Sequence, residues 1–297
     1  MSKPQECIEL LSVELLDQYR PLVTELKKLA ASLKLEFGWH YLLDLTWIIS
    51  RLGAVQGKRI IDAGAGTGIL QWYLAEHGAE IISVDRDSRK FLPIRFRKRF
   101  LVTGLRESDL AADRTVLKKD FSNHSSPKSM LNHLRMDLQG YFERPSGSGH
   151  VAIYNQDLAD LKDIPNNSID IVASVSALEH NSPENLSKVV KELIRILKPG
   201  GSILATLTAS HSTDSWHAPS AGWCYTAETI RQLFGLPEDI PDNYRFYDQI
   251  MTGIRNHAEL RDNLARFYFE SGQNGMPWGI WDPQYLPVGV WKVKKYA

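Results

Sequence analysis

The stretch Arg59-Ile-Ile-Asp62-Ala63-Gly64-Ala-Gly66-Thr-Gly68 constrains this chain more than any other. A β-branched run meets three alternating glycines, and Ile69 to His77 then shows helical spacing closed by Gly78. The pattern reads as strand, tight turn, helix. Glycine lets the backbone come close to a ligand, and the helix start turns its free N–H groups toward it. Such a turn is shared by nucleotide binders in general, and its spacing narrows the choice. A dinucleotide fingerprint reads G-x-G-x-x-G, whereas the third glycine here is Gly68 and Ile69 follows.

Further strands follow at the intervals of a parallel sheet. Glu80 to Asp85, Val151 to Asp157, Ser168 to Val175 and Ser202 to Leu207 are short apolar runs. Between the last two, Leu186 to Leu197 is amphipathic and ends at Lys198-Pro-Gly-Gly201. Strands alternating with helices predict an α/β fold, a doubly wound, mostly parallel seven-stranded sheet, because parallel neighbours need crossovers. Thr226 to Phe234 predicts one more helix, and Tyr244 to Ile250 and Val288 to Val293 are the candidate closing strands. Residues 1–55 read as an N-terminal helical cover, with Ile8, Leu11, Leu15 and Leu16 recurring at three and four. Residues 56–297 then form the main domain, with insertions at about 88–149 (between strands two and three) and 251–287.

Composition excludes some partners. Lys+Arg 35 balance Asp+Glu 35, so the overall field attracts neither nucleic acid nor anionic membrane. Two cysteines, Cys7 and Cys224, cannot build a disulfide framework, and no apolar run approaches ~18 residues. The expectation is a soluble, cytoplasmic protein with no transmembrane segment.

Two acids accompany the glycine turn. Asp85 ends the second strand about twenty residues on, where a carboxylate can accept both ribose hydroxyls. Asp157 closes the third strand near the same edge and can accept from an adenine amino group. The bland alternative is that both merely cap turns.

These residues resemble the successive motifs of class I S-adenosylmethionine-dependent methyltransferases, in particular the small-molecule branch with Leu-Glu-His after strand four. The motifs are Ile60 to Gly68, Val84-Asp85-Arg86, Asn155-Gln-Asp-Leu158, Ile169 to Val172 with Ala177-Leu-Glu-His180, and Leu197 to Gly201. The resemblance covers residues 58 to about 207. It implies S-adenosylmethionine as cofactor and S-adenosylhomocysteine as product. Gly64 and Gly66 would flank the methionine part, with Ala63 and Gly68 completing the turn. Asp62 would orient the cofactor's amino group through water, and the carbonyl at Ser174 or Val175 would also face it. Asp85 would hold the ribose, Arg86 would lie against the adenine, and Asp157 with the Leu158 amide would read its edge. Trp39, His40 and Tyr41 would act as a lid.

Methyl transfer to a hydroxyl needs alignment and a proton acceptor. Residues after strands four and five sit at the carboxyl edge of the sheet, which makes His180 the leading base candidate, with Glu179 beside it. A plain structural role, His180 bonded to backbone at a helix start, competes. Some relatives hold a metal here with an acid three residues before Glu179; this chain has Ser176, so no metal is expected. His211, Asp214 and His217 share a face only if helical, and the surrounding Ser, Gly and Pro favour a loop walling the substrate pocket. His217 completes the catalytic candidates. Trp216, Trp223, Trp278 and Trp281 could stack on a planar substrate or belong to the core.

Residues 89–106 carry Arg89, Lys90, Arg95, Arg97, Lys98, Arg99 and Arg106 without an acid before Arg106, over an apolar stripe of Leu92, Phe96 and Phe100. They read as an amphipathic basic helix that holds an anionic substrate, touches a membrane surface, or is simply a solvated face. The expectation is methyl transfer to a small or medium-sized acceptor, anionic or aromatic, at oxygen and not on nucleic acid. The competitors are a non-catalytic S-adenosylmethionine-binding protein and an NAD-dependent oxidoreductase; no Tyr-x-x-x-Lys pair follows strand four to support the latter.

Overall fold

The computed structural model describes residues 6–123, 149–270 and 276–296. They form two compact units, residues 54–158 and residues 1–53 together with 159–297. Mostly parallel strands with flanking helices make up the fold, which bears out the expected class. Short strands raise the number to ten among the described residues.

The first element among the described residues is β1 (Cys7–Leu10), not a helix. Its alternate residues Ile8 and Leu10 are buried, and four residues pair antiparallel with a distant strand. Tertiary pairing thus overrides a spacing that also fits a helix. Three helices follow: α1 (Glu14–Gln18), α2 (Arg20–Leu33) and α3 (Tyr41–Leu52). α2 buries Val23, Leu26, Leu29, Ala30 and Leu33 on one face and ends at Lys34 in the left-handed region. α3 is buried over most of its circumference, Asp44 and Thr46 included.

In the unit of residues 54–158, the order is β2 (Arg59–Ala63), β3 (Glu80–Asp85), β5 (His150–Asn155) and β4 (Val102–Gly104), all parallel. Ala63 lies level with Val84 and Asp85 with Asn155, so three strand ends form one rim. α4 (Leu70–Glu76) buries Leu70 through Ala75, and Trp72 stacks on Phe96 of α5 (Ile94–Phe100) at 4.9 Å. The region expected as an insertion therefore contributes α5, the edge strand β4 and α6 (Asp113–Asn123). Residues 124–148 of that region lie outside the described residues.

The basic stripe differs from its expectation. Leu92, Phe96 and Phe100 are buried as predicted, but Arg89, Arg97 and Arg99 are buried as well. Arg97 donates to the carbonyls of Leu92, Lys90 and Ala111, and Arg99 pairs with Glu76 at 2.6 Å. Guanidinium groups have several donors and no acceptor, so they close gaps where carbonyls converge. These three cations are structural and do not form an anionic-substrate or membrane-facing surface.

In the other unit β6 (Ile169–Val175) runs parallel to β7 (Leu197–Ala209), joined by α7 (Pro183–Ile196). Ser182 caps α7 by accepting from the Asn185 amide, and Pro183 occupies the first turn. Lys198-Pro-Gly-Gly201 lies within the run of β7, with Gly200 at φ 80°. β8 (Ser215–His217) and β9 (Gly222–Tyr225) form a small antiparallel pair whose second strand also extends parallel to β7. α8 (Ala227–Phe234) is capped by Thr226. Tyr244 to Ile250 is not a strand: a single turn at Tyr244–Phe246 leads into α9 (Tyr247–Arg255). Its buried residues Tyr247, Met251 and Ile254 recur at four and three, which suits a helix face. β10 (Leu286–Val293) closes as expected, antiparallel between β7 and β1. Gly289 of β10 lets the Trp47 ring of α3 lie against the backbone, since a Cβ there would come within 2.4 Å of it.

Candidate functional site

The rim of β2, β3 and β5 carries the glycine turn. Gly64 and Gly66 have φ of 73° and 47°, which side chains disfavour. The Gly64 and Ala65 amides both donate to the Val84 carbonyl, at 2.9 and 3.0 Å, fastening the turn to β3. The Gly68 amide donates to the Ala65 carbonyl at 2.9 Å. Asp85 Oδ2 accepts the Gly66 amide at 2.7 Å and Oδ1 accepts the Asp87 amide at 2.8 Å. Each carboxylate oxygen keeps a second lone pair, so the half-buried Asp85 can still accept two hydroxyls. These acceptors fit the two hydroxyls of an adenosyl ribose.

Beneath the turn lies a polar network that the sequence reading missed. Gln71 Nε2 donates to the Gly68 carbonyl at 3.2 Å and Ser83 Oγ donates to Gln71 Oε1 at 2.7 Å. Arg89 donates to Ser83 Oγ, to the Ser83 carbonyl at 2.7 Å and to the Gly66 carbonyl at 3.4 Å. Its backbone amide reaches Asn155 Oδ1 at 2.9 Å. Arg89 thus ties β3, β5 and the turn together. No local pattern announces this; the residue reads as one more cation in a basic run.

Asp62, at the end of β2, is buried. Burial raises its carboxyl pKa to about 7; Arg89 pulls it back and the charge of Asp85 pushes it up further. Ala63 is buried, Arg86 and Asp157 are exposed, and Leu158 is half-buried. The Gln156 amide donates to the Asp85 carbonyl at 2.8 Å, setting Asp157 one residue beyond the rim.

In the other unit Ser174 is buried and Val175 half-buried at the end of β6. Ser176 follows at φ 44°, its amide donating to the carbonyl and Oγ1 of Thr206, both at 3.1 Å. Its hydroxyl donates to Glu179 Oε1. Glu179 is 1% exposed, Oε2 has no hydrogen-bond partner among the described residues, and burial raises its pKa. His180 is exposed and its Nδ1 lies 2.9 Å from the Ala221 carbonyl. A ring nitrogen beside a carbonyl must donate, so in the neutral ring Nε2 is the acceptor.

His217 is half-buried on β8, with Nδ1 2.7 Å from Ser220 Oγ; desolvation lowers its pKa. His211 instead stacks on Tyr247 at 5.1 Å, and Asp214 accepts the Thr226 amide and the Thr229 hydroxyl at the start of α8. The three residues do not share a face. Trp216 and Trp278 are exposed, and Trp281 donates to the Arg255 carbonyl at 2.8 Å.

A second feature absent from the catalytic candidates is the pair His40–Asp44. His40 Nδ1 lies 2.6 Å from Asp44 Oδ2, and the two residues are 3% and 0% exposed. Their spacing of four on a helix was the available signal.

The profile of a methyltransferase domain matches residues 39–236, two thirds of the chain. The chain belongs to the methyltransferase-domain family. That bears out the resemblance to class I methyltransferases, the reading as an enzyme and S-adenosylmethionine as cofactor. Among curated proteins, this methyltransferase is 44% identical over 61 residues to ribosomal RNA small subunit methyltransferase A of Caulobacter vibrioides, covering 20% of this chain and 23% of the relative. It is 42% identical over 43 residues to a ubiquinone biosynthesis O-methyltransferase of Acinetobacter baumannii, covering 14% of this chain and 18% of that one. These matches span about a quarter or less of the relatives' lengths. The ubiquinone biosynthesis O-methyltransferase of Yersinia pestis aligns over 241 residues at 23% identity, 78% of this chain and 77% of the relative. The fold is shared with the solved [4+2]-cyclase SpnF, at 16% identity and a TM-score of 0.51 over 99% of this chain and 100% of that one. No helix among the described residues is long and apolar enough to cross a membrane.

Proposed function

We propose that this methyltransferase moves a methyl group from S-adenosylmethionine to an oxygen of a small or medium-sized acceptor. The observation that carries the reading is Asp85 Oδ2 on the Gly66 amide at 2.7 Å, which fixes the ribose acid against the glycine turn and leaves lone pairs outward. Ala63, Gly64, Gly66 and Gly68 form the turn for the methionine part, and Arg86, Asp157 and Leu158 hold the adenine. Asp62 orients the amino group. The bound cofactor supplies an electrophilic methyl on a sulfonium, and the chain supplies alignment and a proton acceptor.

Transfer to oxygen is supported by the long alignment with a ubiquinone biosynthesis O-methyltransferase. Glu179, His180 and His217 supply acid–base groups on one unit. His180 has a free ring nitrogen, and burial keeps His217 neutral. A second reading, a binder without methyl transfer, draws on the shared fold of a protein named for a [4+2] cyclisation, since fold does not fix reaction.

Calorimetry with S-adenosylmethionine, S-adenosylhomocysteine and NAD tests the site, and release of S-adenosylhomocysteine across an acceptor panel tests the reaction. Binding of the sulfonium pair and not of NAD is expected, with turnover confined to hydroxyl acceptors. Binding without any turnover would favour the second reading.

A further inference from the structure

Beneath the glycine turn, the unit of residues 54–158 sets more acid than base. Asp62 is 3% exposed at the end of β2, and Arg89 is 7% exposed beyond the end of β3. Four carboxylates act on Arg89, those of Asp85, Asp62, Asp109 and Asp87. Asp109 has a cation of its own, Arg106 at 2.8 Å, and Asp87 is exposed. One guanidinium is left to serve both Asp62 and Asp85. It makes no ion pair with either among the described residues; its donors go to Ser83, Gly66 and Tyr154.

The groups that face Asp62 within this unit are few. β3 ends in Asp85, the segment after it supplies Arg89, and α4 supplies the Gln71 backbone amide as a hydrogen-bond donor. The first turn of α4 carries no charged side chain. With both acids ionised, Asp62, Asp85 and Arg89 together hold one negative charge in excess, in a place that water screens little. A buried charge without a partner is costly, and a proton on Asp62 removes it. Burial keeps that proton bound up to a pKa of about 7, Arg89 working against it and Asp85 with it. A ligand that brings a cation relieves the same excess without the proton.

We propose that Asp62 exchanges its proton for the α-ammonium group of the adenosyl ligand, and so selects ligands that carry the amino-acid part. This rests on the reading of the glycine turn as the S-adenosylmethionine site and deepens it. The O–H bond of the Asp62 carboxyl breaks, its electron pair stays on the carboxylate oxygen, and the proton passes to the buffer. Arg89 acts through Asp62 as a positioning residue, its charge setting how firmly the proton is held. On the same reading Asp85 meets the ribose and already accepts the Gly66 and Asp87 amides, so the adenosine half alone releases nothing.

The test is calorimetry on the full chain with S-adenosylhomocysteine, repeated in two buffers of different ionisation enthalpy. The probe without an amino-acid part is 5′-deoxy-5′-methylthioadenosine. At pH 6 the wild type should release about one proton per S-adenosylhomocysteine bound, and at pH 8.5 none. Its affinity should rise about fiftyfold from pH 5 to pH 7 and level off above. Methylthioadenosine should bind with no proton release and constant affinity over the same range. Asp62→Asn should bind S-adenosylhomocysteine with no release at pH 6, and its affinity for methylthioadenosine should stay within about twofold of wild type.

S-adenosylhomocysteine bound by the wild type without proton release at pH 6 overturns the exchange. Equal release from Asp62→Asn, or from the wild type with methylthioadenosine, overturns the assignment to Asp62 and the ammonium group. If Asp62→Asn does not fold, Arg89→Met decides. Without the guanidinium the proton is held more firmly, so release should continue at pH 8.5, and its absence there overturns the charge balance. Failure of the wild type to bind either adenosyl compound at any pH would instead sink the reading of the turn as the S-adenosylmethionine site.

Discussion

The two units organise their functional groups by different means. Around the glycine turn, residues 62–89 place backbone amides and one carboxylate with bonds among near neighbours, supported by Gln71, Ser83 and Arg89. In the other unit the candidate groups come from α3, the end of β6, β8 and the approach to β10, with Trp39 and Tyr285 hydrogen-bonded across 246 residues. On the proposed reading, the first arrangement binds a constant partner through main chain. The second is built from side chains, and as a proposed acceptor side it would be refitted by substitution at a few positions. A common donor with variable acceptors calls for this division.

The largest way to break that contrast is Asp85→Ala. Losing two charge-assisted hydrogen bonds to a ribose should weaken S-adenosylhomocysteine binding by about a hundredfold or more, read by calorimetry, with the circular dichroism spectrum unchanged. Retained affinity would mean that the turn alone holds the cofactor.

Asp62 sharpens the contrast through pH. Its folded pKa of about 7 exceeds the unfolded value near 4, so the native state binds more protons in between. Stability must therefore fall as pH rises from about 4 to about 7 and level off above, by an amount on the order of a few kcal/mol from this group alone. Urea unfolding of Asp62→Asn across that window should lack this component, and an identical slope in both proteins would remove Asp62 as its source.

Arg89→Met comes next. It removes the donors under the turn and leaves the carbonyls of Gly66 and Ser83 short of partners. A loss of about 1–3 kcal/mol of stability and about a tenfold fall in S-adenosylhomocysteine affinity are expected. Affinity unchanged at lower stability would make Arg89 a strut of the sheet only.

The smallest effect concerns Cys224, which is buried with its thiol pushed up to about 11. Iodoacetamide at pH 7.5 should leave it unlabelled in the native protein, as mass spectrometry can show. Rapid labelling would reveal opening of the unit that carries Glu179.

This division also explains what the sequence reveals. Turn glycines, strand-end acids and alternating strands are local patterns, so the fold class and the placement of Asp62 and Asp85 at strand ends beside Gly64 and Gly66 were legible in advance. β1 was not, because Ile8 and Leu10 fit either period until β10 pairs with them. Tyr244 to Ile250 was misread because a short apolar run does not separate strand from helix. Arg89 was hidden because composition shows charge and not direction. His40 and Asp44 were legible as a pair, but only folding sets His40 beside Tyr285.

Gly289 has a role out of proportion to its chemistry. By presenting nothing but hydrogen to the indole of Trp47, it lets α3 settle flush on the last long ribbon of the chain. That helix also carries Asp44 and begins beside His40, so a methyl group at 289 would push the helix, and the His40–Asp44 pair with it, off the strand. A carbon the residue lacks thereby sets how deeply a buried imidazole–carboxylate pair about two turns away can sit.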